Sequence, residues 1–256
     1  MQPWHNYQAP DQLFAQKVAL VTGAGAGIGA ELSIQLARLG ATVILLGRTQ
    51  SKLEAVYDEI VGNGYPEPAI FPCDLNELDE AQAKGIAEAI HEQLGQLDIL
   101  VHNASVLGQK TPLEQYNLSA YDQVMQINCK APLVLTQALL PLLNESTAGR
   151  LLFTSSSVGR QGRAFWGAYS ISKFATESMM QIFAAELDRV TNIAVHAVNP
   201  GATRTNMRAQ AMPGEHPESV TPASDIMPTY LYLLGPEGSA LHGQSIDAQT
   251  PKTASK

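Results

Sequence analysis

Only two of the 256 residues are cysteine, Cys73 and Cys129. Two thiols are too few for a disulfide framework or a thiolate metal cluster, and both read as reduced, buried side chains. Metal-ligand spacing is missing as well. The six histidines are scattered, and no pair has a spacing such as H-E-x-x-H. Basic residues are in short supply: 16 Lys and Arg against 24 Asp and Glu leave a formal charge of −8. That balance argues against a nucleic-acid partner, since phosphate binding needs a basic face. There is no long hydrophobic run either. The most apolar stretch, residues 131–143, is broken by Thr136, Gln137 and Pro141 and is too short to cross a bilayer. Residues 1–10 lack a basic start followed by an apolar core, so no secretory leader is expected. These absences point to a soluble, cytoplasmic protein with no membrane partner and no resident metal.

What is present is an alternating pattern. Strands are expected at 18–22, 42–47, 69–73, 99–102, 151–154, 193–198 and 245–247, and helices over 29–39, 51–61, 78–94 and 166–188. Short β-branched runs separated by longer helical stretches mark βαβ units. The chain therefore reads as α/β, a single Rossmann-type doubly wound parallel sheet with helices on both faces, forming one domain over 1–256. Within it, 1–16 is an N-terminal extension and 250–256 a flexible tail. Residues 207–221, with Pro213, Gly214 and Pro217, form a substrate loop. Thr221-Pro222 has the form of an N-cap followed by a first-turn proline, opening a helix to about residue 234. Sheets of this type bind ligands beyond the carboxyl ends of their strands.

The first strand runs into Thr22-Gly23-Ala24-Gly25-Ala26-Gly27-Ile28-Gly29. A strand, a glycine-rich turn and a helix in succession let backbone N–H groups and the helix dipole meet a pyrophosphate. The G-x-G-x-x-G spacing fails, because its third glycine would fall on Ile28; Gly23, Gly27 and Gly29 fit a different spacing. A ligand-free turn of the same composition is the alternative. The second strand ends at Gly47-Arg48. Enzymes that prefer NAD place an acid at this strand end to bind the ribose hydroxyls. Gly47 offers no carboxylate to repel a 2′-phosphate, and the Arg48 guanidinium can grip one with two charge-assisted bonds. This favours NADP (NADPH); the alternative is that Arg48 is a solvated surface charge, against which stands the absence of an acid at Gly47.

Tyr169 and Lys173 are four residues apart in a helical stretch, so they share one face. A tyrosine with a pKa of about 10 is a poor acid–base group at neutral pH. A neighbouring ammonium favours the phenolate and lowers that value. A lone Y-x-x-x-K is weak, but a hydroxyl cluster, Ser155-Ser156-Ser157, ends the fifth strand upstream. Pro132 lies four residues after Asn128 and has no N–H, so the Asn128 carbonyl loses its helical donor and could hold a water near Lys173.

Taken together, these motifs resemble those of the short-chain dehydrogenase/reductase family, from the T-G-x-x-x-G-x-G turn to the Y-x-x-x-K pair. Residues 155–164 are similar in particular to the bacterial YciK group. The resemblance implies hydride transfer between NADP(H) and a carbonyl or alcohol carbon of a small molecule. It selects Ser156, thirteen residues before Tyr169, as the serine that polarises the substrate oxygen. Tyr169 becomes the general acid/base, Lys173 its partner and a ribose contact, and Asn128 the holder of a relay water. The same resemblance gives the turn backbone of Gly23, Gly27, Ile28 and Gly29 to the cofactor phosphates. Asp74 would meet the adenine ring, with helix capping as its alternative role. Asn103, Ala104, Pro200, Gly201 and Thr205 would line the rest of the cofactor. A homodimer through the helices around Asn128 and Tyr169 is expected, with a homotetramer as the larger option. Alternatives are a 3-oxoacyl-thioester reductase and a non-catalytic nucleotide-binding regulator.

The chain departs from the family at two places. Asn-Asn-Ala-Gly reads His102-Asn103-Ala104-Ser105 here, and the terminal Asp-Gly-Gly reads Asp247-Ala248-Gln249. Arg160, Arg163, Arg204 and Arg208 fall on segments expected to border the substrate mouth and could attract an anionic substrate, or could be ordinary solvated or salt-bridged arginines.

Overall fold

The computed structural model describes residues 2–250; the expected flexible tail lies outside the described residues except for Thr250. Strands β1 (Val18–Thr22) and β5 (Arg150–Thr154) are buried along their whole length. Continuous burial is what a parallel strand covered on both faces requires. With β2 (Thr42–Gly47), β3 (Ala69–Pro72), β4 (Ile99–His102), β6 (Ala194–Asn199) and β7 (Ser245–Asp247), they form one sheet in the order β3-β2-β1-β4-β5-β6-β7. Every pairing is parallel. The order reverses between β1 and β4, which opens a crevice above their carboxyl ends.

Side chains alternate along β1, sending Ala19 and Val21 to one core and Val18 and Leu20 to the other. The first core is closed by α1 (Gly27–Arg38), α2 (Gln50–Gly62) and α8 (Met227–Leu234) through Leu32, Leu36, Leu53, Ile60 and Tyr230. The second is closed by α3 (Glu80–Leu94), α5 (Ala131–Glu145) and α6 (Gly167–Leu187) through Ile86, Ile90, Leu135, Leu139 and Phe183. Each fully buried leucine contributes about 1.5–3 kcal/mol. Helix α3 starts on a capping box in which Asp79 accepts from Gln82 N and Gln82 returns the bond, and it ends on left-handed Gly95.

Three elements differ from the sequence reading. The helix expected directly after Pro222 begins instead as a 3-10 turn, Ala223–Ile226, and α8 starts only at Met227. Pro228 is the cause: in a continuous helix its ring would strike the carbonyl of residue 224, so it must occupy a first turn. The expected loop 207–221 contains a short helix, α7 (Asn206–Ala211), capped by Thr205 Oγ1 on Arg208 N at 3.1 Å. Between α4 (Leu118–Met125) and α5, residues Gln126–Lys130 form a π-helical turn in which Ala131 N donates to Gln126 O. The missing N–H of Pro132 denies Asn128 O an α-type donor, consistent with the backbone widening there. The N-terminal extension is docked on the body. Trp4 Nε1 and His5 Nε2 donate to Asp247 O at 3.2 and 3.0 Å, and Phe14 is buried in the first core.

Candidate active site

The crevice holds a cavity of about 770 Å³, within the size of small-molecule and cofactor sites. Its floor is the glycine turn. Gly23 (φ +69°) and Gly27 (φ +57°) hold left-handed conformations that favour glycine. Gly29 is demanded by space: a Cβ there would lie 2.3 Å from Gly23 O and 2.6 Å from Asn103 Nδ2. Asn103 Nδ2 donates to Thr22 O, and the N–H groups of Asn103 and Ala104 both donate to Thr22 Oγ1 at 3.0 Å. Thr22 thus ties β1 to the segment after β4 beneath the turn, a role that lay outside the sequence reading.

At the end of β2, Gly47 and exposed Arg48 line the cavity together with Thr49 and Lys52. Thr49 is the N-cap residue of α2, yet its hydroxyl makes no capping bond. The stem of Lys52 lies against Gly25, where a Cβ would come within 2.9 Å. Lys52 is a second cation beside Arg48, signalled in the sequence only by its place in the first turn of α2. Asp74 also lines the cavity and accepts from Asn76 N at 3.0 Å, a local turn bond; the cap of α3 is Asp79.

Tyr169 and Lys173, one turn apart on α6, are 7% and 3% exposed. Lys173 Nζ donates to Thr154 O at 2.7 Å and lies 5.6 Å from the Tyr169 ring centroid. Tyr169 shares a hydrogen bond with the Ser156 hydroxyl. Burial pushes the Tyr169 phenol up to about 12, against the lowering effect of Ser156, and pushes Lys173 down to about 8. Lowering of the phenol by Lys173, expected from the sequence, is not what this structure holds: desolvation dominates, and the ammonium is directed to a carbonyl.

The serines separate cleanly. Ser155 and Ser156 both border the cavity, but Ser155 Oγ is committed to Glu177 Oε1, to which it donates at 2.5 Å, and Ser157 starts a 3-10 turn. That turn is drawn close to α6 by Gly159, whose added Cβ would meet the Lys173 backbone at 2.7 Å. Asn128 sits behind the cavity wall. Its Oδ1 accepts from Val106 N at 2.8 Å, and its Nδ2 donates to Val106 O at 2.9 Å and Ser172 Oγ at 3.0 Å. The side chain is therefore fully engaged as a clamp, which leaves only its main chain for any relay.

The family departures also find places. Thr136 Oγ1 donates to Pro132 O at 2.7 Å, so His102 Nε2 must be the donor in its 2.7 Å contact with Thr136 Oγ1. Burial lowers His102 to about 3, keeping it neutral. Ser105 Oγ is buried with no hydrogen-bond partner among the described residues, and Ser105 lines the cavity. Gln249 donates to Pro200 O and Ala202 O at 2.8 and 2.9 Å and so braces the Pro200-Gly201 segment of the cavity wall. Thr205 lines the cavity too, with its methyl against Gly27.

The four arginines do not form one cluster. Arg160 is paired with Glu177 and Asp247 at 3.3 and 2.7 Å, and neither Arg160 nor Arg163 lines the cavity. Arg204 and Arg208 do. Of the residues assigned from the sequence to catalysis or to the cofactor, only Gly29 and Asn128 stand off the cavity surface, both directly supporting it.

A doubly wound parallel sheet with this turn and this Ser-Tyr-Lys set defines a nicotinamide-type oxidoreductase scaffold, and the short chain dehydrogenase family pattern matches residues 17–216. The chain belongs to that family. It is 46% identical over 244 residues to the uncharacterized oxidoreductase YciK of Escherichia coli K12, covering 95% of this chain and 96% of that one. Among solved structures, it is similar to a short chain dehydrogenase of Shigella flexneri complexed with NADP (46% identity, TM-score 0.92, 94% and 100% of the two chains). A short chain dehydrogenase of E. coli CFT073 complexed with NADPH matches with 46% identity and a TM-score of 0.91, over 94% and 100%. No helix among the described residues is long and apolar enough to cross a membrane.

Proposed function

We propose that this protein is an NADPH-dependent reductase of small carbonyl compounds, working reversibly on the corresponding alcohols. The observation that carries the reading is the Ser156–Tyr169–Lys173 set on the wall of a cavity that also contains the glycine turn and Arg48. The residues present fit an extended dinucleotide. The turn has no side chains to obstruct a pyrophosphate, and Arg48, Lys52 and the uncapped Thr49 hydroxyl offer donors to a 2′-phosphate. The relatives complexed with NADP and NADPH support the same choice. Asp74 borders the adenine position; Asn103, Ala104, Pro200, Gly201 and Thr205 border the remainder, with Ile28 N–H at the start of α1.

Bound NADPH supplies the hydride. The chain's own residues handle the oxygen. Ser156 donates to the carbonyl oxygen and polarises it. Tyr169, protonated at neutral pH because burial holds it near 12, is the acid that delivers a proton to that oxygen as reduction proceeds. Lys173, still mostly cationic at pH 7 with a value of about 8, stabilises the phenolate left behind and reaches the ribose. The Asn128 main chain, within the π turn, holds the water that returns a proton to Lys173. We further infer a homodimer through α5 and α6, supported by the exposed apolar side chains Leu133, Ile171, Phe174 and Ile182.

Titration of the protein with NADPH and NADH, followed by nicotinamide fluorescence, tests the reading. NADPH should bind more tightly, and Arg48→Ala should raise its Kd about tenfold with little change for NADH. Preference for NADH, or binding of neither, overturns it.

A further inference from the structure

Acidic residues outnumber basic ones 24 to 16 in the chain, yet the cavity lining reverses that balance. Its charged side chains are Arg48, Lys52, Lys173, Arg204 and Arg208, against the single carboxylate of Asp74. Most of these cations already have an assignment. Arg48 and Lys52 stand at the end of β2, and Lys173 is bound to the Thr154 carbonyl. Arg208 is matched by Glu215 through two bonds of 2.6 and 2.7 Å. Arg204 is left. Only its Nε is engaged among the described residues, donating to Pro217 O at 3.0 Å.

The direction of Arg204 follows from the backbone. Thr203 is bridged to Thr221, and Thr205 is extended (φ −144°, ψ 161°), so side chains alternate along this segment. Thr205 leans its methyl on Gly27, toward the phosphate turn. Arg204 therefore points away from that turn; it is exposed at the cavity lining, where its Nε is held by Pro217 O, itself part of the lining. Its two Nη groups form a planar pair of donors matched to a carboxylate. One unmatched positive charge suits one negative charge, whereas a phosphate brings about −1.5 to −2. Beside Tyr169 the cavity wall is apolar: Leu107, Trp166, Met207 and Ala211 line it and pack in one cluster with the Tyr169 ring.

We propose that the substrate is an oxo acid with an apolar body, its carbonyl on Ser156 and Tyr169 and its carboxylate on Arg204. The inference rests on the reductase reading above. In the reaction C=O becomes CH–OH: carbon gains hydride as NADPH is oxidised to NADP⁺, oxygen gains a proton, and the carboxylate is unchanged.

The test uses a series of aldehyde acids of increasing chain length, each compared with its methyl ester, with NADPH consumption as the readout. At a matching length the acid should exceed its ester about tenfold in kcat/KM, chiefly through KM, and the advantage should shrink with added salt. Arg204→Gln, which keeps a donor for the Pro217 carbonyl, should erase the difference; Arg204→Lys should keep part of it. Calorimetric binding of the product hydroxy acid and hydroxy ester to NADPH-loaded protein should give the same ranking without turnover. Equal treatment of acid and ester at every length, no binding of either, or an Arg204→Gln effect confined to NADPH affinity would each overturn the proposal. Loss of NADPH binding by the unmodified protein would instead remove the parent reading.

Discussion

The two sides of the cavity are built on opposite principles. The phosphate-turn side, residues 22–29 and 47–53, is shaped by missing side chains, with backbone packed on backbone and cations at the rim. The side formed by α6 and the π turn is shaped by buried polar side chains, nearly all of them paired. On the first side an added methyl is intolerable; on the second a lost hydrogen bond is. One surface is made ready for a large polyanion by exposing N–H groups. The other tunes single protons by withholding water.

The sharpest way to separate the two sides is Tyr169→Phe, which removes one oxygen from the paired side. We expect kcat to fall about 10³-fold, roughly 4 kcal/mol of barrier, with NADPH affinity nearly unchanged in a fluorescence titration. Gly29→Ala attacks the other side. Its Cβ would sit 2.3 Å from Gly23 O, so NADPH Kd should rise about 100-fold while circular dichroism still reports a folded sheet. If NADPH affinity survived that change, the close-packed account of the turn would be wrong.

Asn128→Ala is a smaller disturbance. It leaves the N–H and C=O of Val106 without their side-chain partner, at a cost of about 1–3 kcal/mol in urea unfolding. Smallest is a pH effect. Burial lowers Lys173 from 10.5 to about 8, so between those values the unfolded chain binds more protons than the folded one. Stability from this group therefore rises with pH across that window. Tyr169, raised from 10.0 to about 12, opposes it only above pH 10. Lys173→Met should flatten the rise in denaturation midpoint between pH 8 and 10, and an unchanged slope would place the titration elsewhere.

The contrast also explains what could be read from the sequence. All seven strands fall within a residue of their expected limits, because buried parallel strands leave unbroken apolar runs. Gly23, Gly27 and Gly29 were legible because a glycine spacing is local. Thr22, Gly159, Glu177 and Gln249 were not. Each works through a partner far along the chain, such as Thr22 with Ala104 or Gln249 with Pro200, and no short pattern encodes such a pairing. Ser156 could be chosen over Ser155 only by family spacing; the structure supplies the reason, since Ser155 belongs to Glu177. The arginines stayed open between two readings because charge in sequence does not reveal its counter-ion: Arg160 and Arg208 are salt-bridged. The helix after Pro222 starts later than its N-cap pattern implies because Pro228 must also occupy a first turn.

Gln249 and Asp247 have a consequence for the order in which the protein can be completed. The carbonyl that Trp4 and His5 hold belongs to Asp247, more than 240 positions later, and the Pro200 segment is steadied by Gln249. During synthesis the first turn to emerge has no dock until the last strand arrives, and loop closure over such a separation is entropically slow. A fragment ending at residue 243 loses at one stroke the anchor of its own beginning and the brace of its cavity wall.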